Sequence, residues 1–169
     1  RPRGGDFLYT ETEILEMIAD IQLCKELGID GVVIGMLNAD GTVDKVNTLR
    51  LVEAARPMHV TFHRAFDRVE DPFQALEDVI ELGIDRILTS GLQNSALAGA
   101  PLLKQLVQQA NGRIVIMPGA GVDAANIVHI LAQTGAVAIH SSAKELHVSK
   151  MRFNQSQVNG MDEAQWMSS

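Results

Sequence analysis

Apolar residues fall into five short runs along this chain, each closing on a small polar or ionisable cluster. Gly31-Val32-Val33-Ile34-Gly35 leads into Met36-Leu37-Asn38-Ala39-Asp40, and Val60-Thr61-Phe62 into His63-Arg64-Ala65-Phe66-Asp67. Arg86-Ile87-Leu88 leads into Thr89-Ser90-Gly91, Ile114-Val115-Ile116-Met117 into Pro118-Gly119-Ala120-Gly121, and Ala136-Val137-Ala138-Ile139 into His140-Ser141-Ser142. Runs this short and this apolar read as strands of a parallel sheet covered on both faces. Between them lie patterns with apolar residues three and four apart, as at Phe73, Leu76, Val79 and Ile80. Such a stripe is a helix packing one side onto a sheet.

The helix starts are marked. Thr10 followed by Glu13 predicts a capping box and a helix to about Leu27. Asp44 opens a second, ending before Pro57, and Asp71-Pro72 sets a capping carboxylate before a first-turn proline. Pro101 starts a helix that stops at Asn111-Gly112, and Asp123 caps one through about Gln133. The string Glu-Leu-Gly-Ile-Asp occurs twice, at residues 26–30 and 81–85, each time between a helical pattern and a strand. It reads as one corner used repeatedly: a last helical turn, a left-handed glycine, then a strand.

Evenly repeated βα units allow an open doubly wound sheet or a barrel. The open sheet calls for a glycine-rich phosphate turn after its first strand, and none follows residues 31–35. The pattern therefore favours an α/β fold of the (β/α)8 TIM-barrel type with its first part missing. Residues 1–146 form the partial barrel domain, and residues 147–169 a polar loop or tail, an incomplete closing segment. Exposed strand edges in such an arc point to a homo-oligomer.

Composition narrows the function classes. A formal charge of −7 argues against nucleic acid and gives no attraction to an anionic membrane surface. No apolar stretch has the roughly 18 to 20 residues of a membrane helix. The single cysteine, Cys24, excludes an internal disulfide and fits a reducing cytosol.

Four motifs carry a resemblance: Arg1-Pro2-Arg3-Gly4-Gly5-Asp6-Phe7, Phe62-His63-Arg64-Ala65-Phe66-Asp67, Ile87-Leu88-Thr89-Ser90-Gly91 and Ile116-Met117-Pro118-Gly119-Ala120-Gly121. In this order and spacing they resemble the CutC family, usually named copper homeostasis proteins. The resemblance implies a TIM barrel and a cytoplasmic protein that binds or handles copper. It also implies that the chain begins at the end of the third strand, leaving about the last five βα units.

Candidate chemistry gathers where strands end, the rim at which such folds bind ligands. His63, Arg64 and Asp67 follow one strand, and Arg1, Arg3 and Asp6 open the chain. Convergent guanidinium forks suit a carboxylate or phosphate, with His63 and Asp67 as catalytic groups and His63 as acid or base near neutral pH. The competing reading pairs Arg64 with Asp67, and Asp6 with Arg1 or Arg3, as scaffold. Thr89, Ser90 and Gly91 open a donor-rich loop that either contacts ligand or satisfies its own backbone. Gly119 and Gly121 stand where barrels hold phosphate, but Asp123 at the following helix cap would repel an anion there, which favours a tight structural turn. His140 and Ser141 end the last run, with His140 either facing His63 across the mouth or hydrogen-bonded in the core.

Copper is a matter of the resemblance alone. Cu(I) prefers thiolate and thioether, yet Cys24 shares a stripe with Ile14, Met17, Ile18 and Ile21, and the methionines do not cluster. No metal ligands are assigned. Two functions stay open: a copper-homeostasis protein, or an enzyme acting on a small anionic metabolite with Arg1, Arg3 and Arg64 as clamps.

Overall fold

The computed structural model describes residues 1–143, together with the backbone of two short strands further on. Elements alternate in chain order. They are α1 (Glu11–Glu26), β1 (Gly31–Ile34), α2 (Lys45–Ala55), β2 (His59–Phe62), a 3-10 helix (Arg64–Arg68), α3 (Pro72–Glu81), β3 (Arg86–Thr89), α4 (Ala100–Ala110), β4 (Val115–Pro118) and α5 (Ile127–Thr134). Strands β1 to β4 form one parallel sheet in sequential order. The remaining strands, β5 (Glu145–Val148) and β6 (Gln165–Ser168), pair antiparallel with each other. The rest of the tail expected over residues 147–169 lies outside the described residues.

The helix starts follow local chemistry. Thr10 and Glu13 make the reciprocal capping box at α1, and Asp44 and Asp71 accept from the first free N–H groups of α2 and α3. At the fifth helix the expectation is corrected. Asp123 Oδ1 caps an earlier turn through the N–H groups of Ala125 and Asn126, and α5 starts only at Ile127. The repeated corner is built as read: Leu27 and Leu82 close their helices, and Gly28 and Gly83 take φ of +72° and +71°.

Two further expectations change. The fifth apolar run is no strand: among the described residues only the His140 that follows it reaches β4, its N–H donating to the Pro118 carbonyl at 2.9 Å, and Val137 is 87% exposed. Among the described residues, helices cover the sheet on one face only, and the other face is partly exposed. Val60, Phe62, Ile87 and Ile116 are buried on the helix side; on the other face Thr61 is buried too, Leu88, Val115 and Met117 are half-buried, and His59, Val33 and Arg86 are exposed. The helices pack side by side over one face, α1 on α2, α3 on α4 and α4 on α5.

Candidate functional site

The carboxyl ends of β1 and β2 meet at Gly35 and His63. His63 N–H donates to the Ile34 carbonyl at 2.7 Å, and the ring lies where a Gly35 side chain would be: a Cβ there would come within 2.5 Å of Nδ1. Only glycine fits. Nδ1 itself accepts the Ala65 N–H at 3.1 Å, capping the 3-10 helix, and Phe7 sits 5.0 Å away ring to ring. Burial, reinforced by the Arg1 charge, pushes the His63 pKa down to about 4. The imidazole is therefore neutral at pH 7 with its proton on Nε2. It is a hydrogen-bond donor, not the group titrating near neutrality that the sequence suggested.

Asp67 is a junction. Its side chain is 7% exposed, and Oδ1 accepts Thr89 Oγ1 at 2.5 Å, Ser90 N–H at 2.9 Å and Leu92 N–H at 3.3 Å. Oδ2 takes Arg64 Nε at 2.6 Å. With its lone pairs filled this way, Asp67 serves as the anchor of the 3-10 helix to the loop after β3, the scaffold alternative to a catalytic carboxylate. Thr89 and Ser90 are fully buried in the same knot. Thr89 Oγ1 also accepts from Gly91 N–H, and Ser90 Oγ donates to the Gln93 carbonyl. Gly91, at φ +69°, lies so close to Gly99 that a Cβ would come within 2.5 Å of its carbonyl oxygen. These three residues build the turn and offer no free side-chain donor to a ligand.

The first arginines divide. Arg3 spends its whole fork on Glu13, Asp6 and the Leu8 carbonyl, so Arg3 and Asp6 fix the leading loop instead of clamping an anion. Arg1 lies over the Phe7 ring at 4.6 Å and bonds the Arg3 and Gly5 carbonyls. It lines a cavity of about 310 Å³ with His63, Met17, Cys24 and the outer edge of β1. Cys24 is thus half-buried at a cavity wall.

Arg64 is the group left facing ligand space. Asp67 holds Nε and Ser90 Oγ holds Nη2 at 3.2 Å, while Nη1 has no partner among the described residues. Arg64 borders two cavities. One, about 820 Å³, runs along Phe7, Leu8, Leu37, Asn38 and Arg68. The other, about 170 Å³, is lined by Arg64, Leu88, Ala120, Gly121, Val122, His140 and Ser142. Gly119 lies close under Leu88, whose Cδ1 methyl would have to move from a Cβ there, and Gly121 turns the chain at φ +65°. Ser141 donates to the Val122 carbonyl at 2.8 Å and pins the two segments together. The expectation for the serines is corrected: Ser142, not Ser141, lines the cavity. His140 and His63 line different cavities. Ala120, Val122 and Ser142 carried no signal in the sequence beyond their neighbours, since only the turn geometry brings them to the wall.

For a metal, no group of three or more His, Cys, Asp or Glu side chains comes together among the described residues. No helix there is long and apolar enough to cross a membrane.

Comparison with known proteins places this geometry. The CutC family model matches residues 1–145. A CutC family protein of Parabacteroides distasonis is 56% identical over 94% of this chain and 65% of its own length. The mouse and human proteins named copper homeostasis protein cutC homolog are 53% and 52% identical over 94% of this chain and 58% of theirs. The chain thus spans about three fifths of these relatives. A crystal structure of CutC from Streptococcus agalactiae matches with a TM-score of 0.79 and 35% identity, covering 83% of this chain and 69% of that one.

Proposed function

The chain belongs to the CutC family, and on that footing we propose that it is part of a cytoplasmic copper-homeostasis protein built on a TIM barrel. The observation that carries the function is the 52–53% identity to mammalian proteins of that name. The barrel is supported by the strand order, which runs β1 to β4 without the reversal of a doubly wound sheet. It is supported too by the cavity along the free edge of β1, whose wall of Met17, Ile21 and Cys24 suits a neighbouring strand. Copper enters as cargo, and its contacts rest on the family, because the described donors form no preassembled set. Titrating the reduced full-length protein with Cu(I) against a competing chelator tests this. Stoichiometric capture is expected, and a chelator that keeps all the copper overturns the reading.

A second reading has its own observation. Arg64 is held at two of its nitrogens, its third has no partner among the described residues, and the side chain borders two cavities, an arrangement that prepays the ordering cost of binding an anion. It makes the rim a site for a small anionic metabolite. Loss of anion binding in Arg64→Ala, with the fold retained, is the expected result.

A further inference from the structure

We propose that the small cavity between Arg64 and His140 is a phosphate-monoester site, with the rest of the ligand lying along the larger cleft on the other side of Arg64. The proposal rests on the anion reading of the rim and names its ligand class and its residues. The cavity of about 170 Å³ is well below the roughly 300 to 1,000 Å³ of pockets that enclose whole ligands. It has room for a head group. No Asp or Glu is among its lining residues; those with polar side chains are Arg64, His140 and Ser142, and they stand beside the turn of residues 120–122.

That main chain is unusual. Ala120 holds φ at +83° and Gly121 at +65°, successive left-sided conformations of which the first is costly for a residue with a Cβ. The N–H groups of Ala120, Gly121 and Val122 have no acceptor among the described residues, whereas the Ala120, Gly121 and Val122 carbonyls are all used, by Ala96 N–H, Asn126 Nδ2 and Ser141 Oγ. The turn is thus braced through its acceptors, and its donors remain. Asp123, which on sequence grounds would repel an anion here, turns its carboxylate to Ala125 and Asn126 and lines neither cavity.

Donor number selects the ligand. A carboxylate brings two oxygens; a phosphate monoester brings three terminal oxygens and more charge, which matches a guanidinium, an imidazole, a hydroxyl and peptide N–H groups together. Arg64 borders both cavities, so an ester held at its phosphate has an adjoining cleft for its organic part.

Calorimetric titration of the full-length protein with inorganic phosphate, glycerol 3-phosphate and acetate at low ionic strength tests this. The two phosphates are expected to bind and acetate to bind at least about tenfold more weakly. Arg64→Lys, which keeps charge but loses the fork, and His140→Ala, at an exposed side chain with no bond to break, should each weaken phosphate by about tenfold. Lys104→Ala, at an exposed site on α4, should leave it unchanged. Acetate binding as well as phosphate overturns the phosphate class and leaves an anion rim. Phosphate binding indifferent to both Arg64→Lys and His140→Ala overturns this location. Binding of no anion overturns the rim reading with it.

Discussion

At His63 the chemistry is decided by one missing side chain and one peptide N–H. Gly35 leaves the space the ring fills, and Ala65 N–H takes Nδ1. The pH consequence follows from the pKa of about 4 against an ordinary 6.5. Above pH 6.5 neither the folded nor the unfolded imidazole holds the extra proton, and the stability is complete. As pH falls from 6.5 towards 4 the unfolded chain protonates first, so stability is lost, by up to roughly 3 kcal/mol, and the loss levels off below that. His63→Asn keeps an acceptor near the Nδ1 position without the titration, and its urea midpoint should fall less between pH 7 and 4.5 than that of the native chain. Identical slopes would remove His63 from the account. Residues 63, 64 and 67 were legible as a cluster because they follow an apolar run together. Their division of labour was not, because the 3-10 geometry alone turns Asp67 inward and leaves one edge of Arg64 open.

Elements are joined by side chains that reach across chain gaps, and Asp67 is the chief case at the rim. It binds groups from the 3-10 helix and from the loop after β3, so Asp67→Ala strands Thr89 Oγ1, two N–H groups and the Arg64 fork at once. A loss on the order of 3 kcal/mol or more is expected in chemical denaturation; a change under about 0.5 kcal/mol, the usual size for an unremarkable surface substitution, would show that the junction is redundant. On the helix layer, Arg113 and Gln109 of and beyond α4 hold the Glu77 carboxyl of α3 down to about 2. The elements themselves were largely readable, since capping residues and apolar spacing are local signals. The two exceptions have different causes. Residues 136–139 carry a strand pattern, yet only the following His140 N–H reaches β4 among the described residues, an outcome set by partners in space. Asp123 spends its carboxylate on the turn before α5, so that helix starts later, at Ile127, without a side-chain cap.

For the whole molecule, what decides behaviour is the sheet's free edge and partly exposed face. β1 pairs only with β2 among the described residues, and Val33 on its open side is 57% exposed. Unpaired edges beside apolar surface recruit further strands. The 169-residue chain by itself is therefore expected to associate in a concentration-dependent way in sedimentation velocity; a single monomer species at all loadings, unfolding in one cooperative step, would contradict that. The overall α/β class could be read from alternating periodicities, but which sheet face is the more exposed could not, because polar positions within the runs are few. The twice-built corner at residues 26–30 and 81–85 has a consequence for descent. Two identical joints, each closing a helix and launching a strand in the same phase, are natural break-points for unequal recombination. An exchange between them would insert or remove two complete βα units with every inward and outward position kept in step, so a lineage could change its strand number without passing through an unfoldable ancestor.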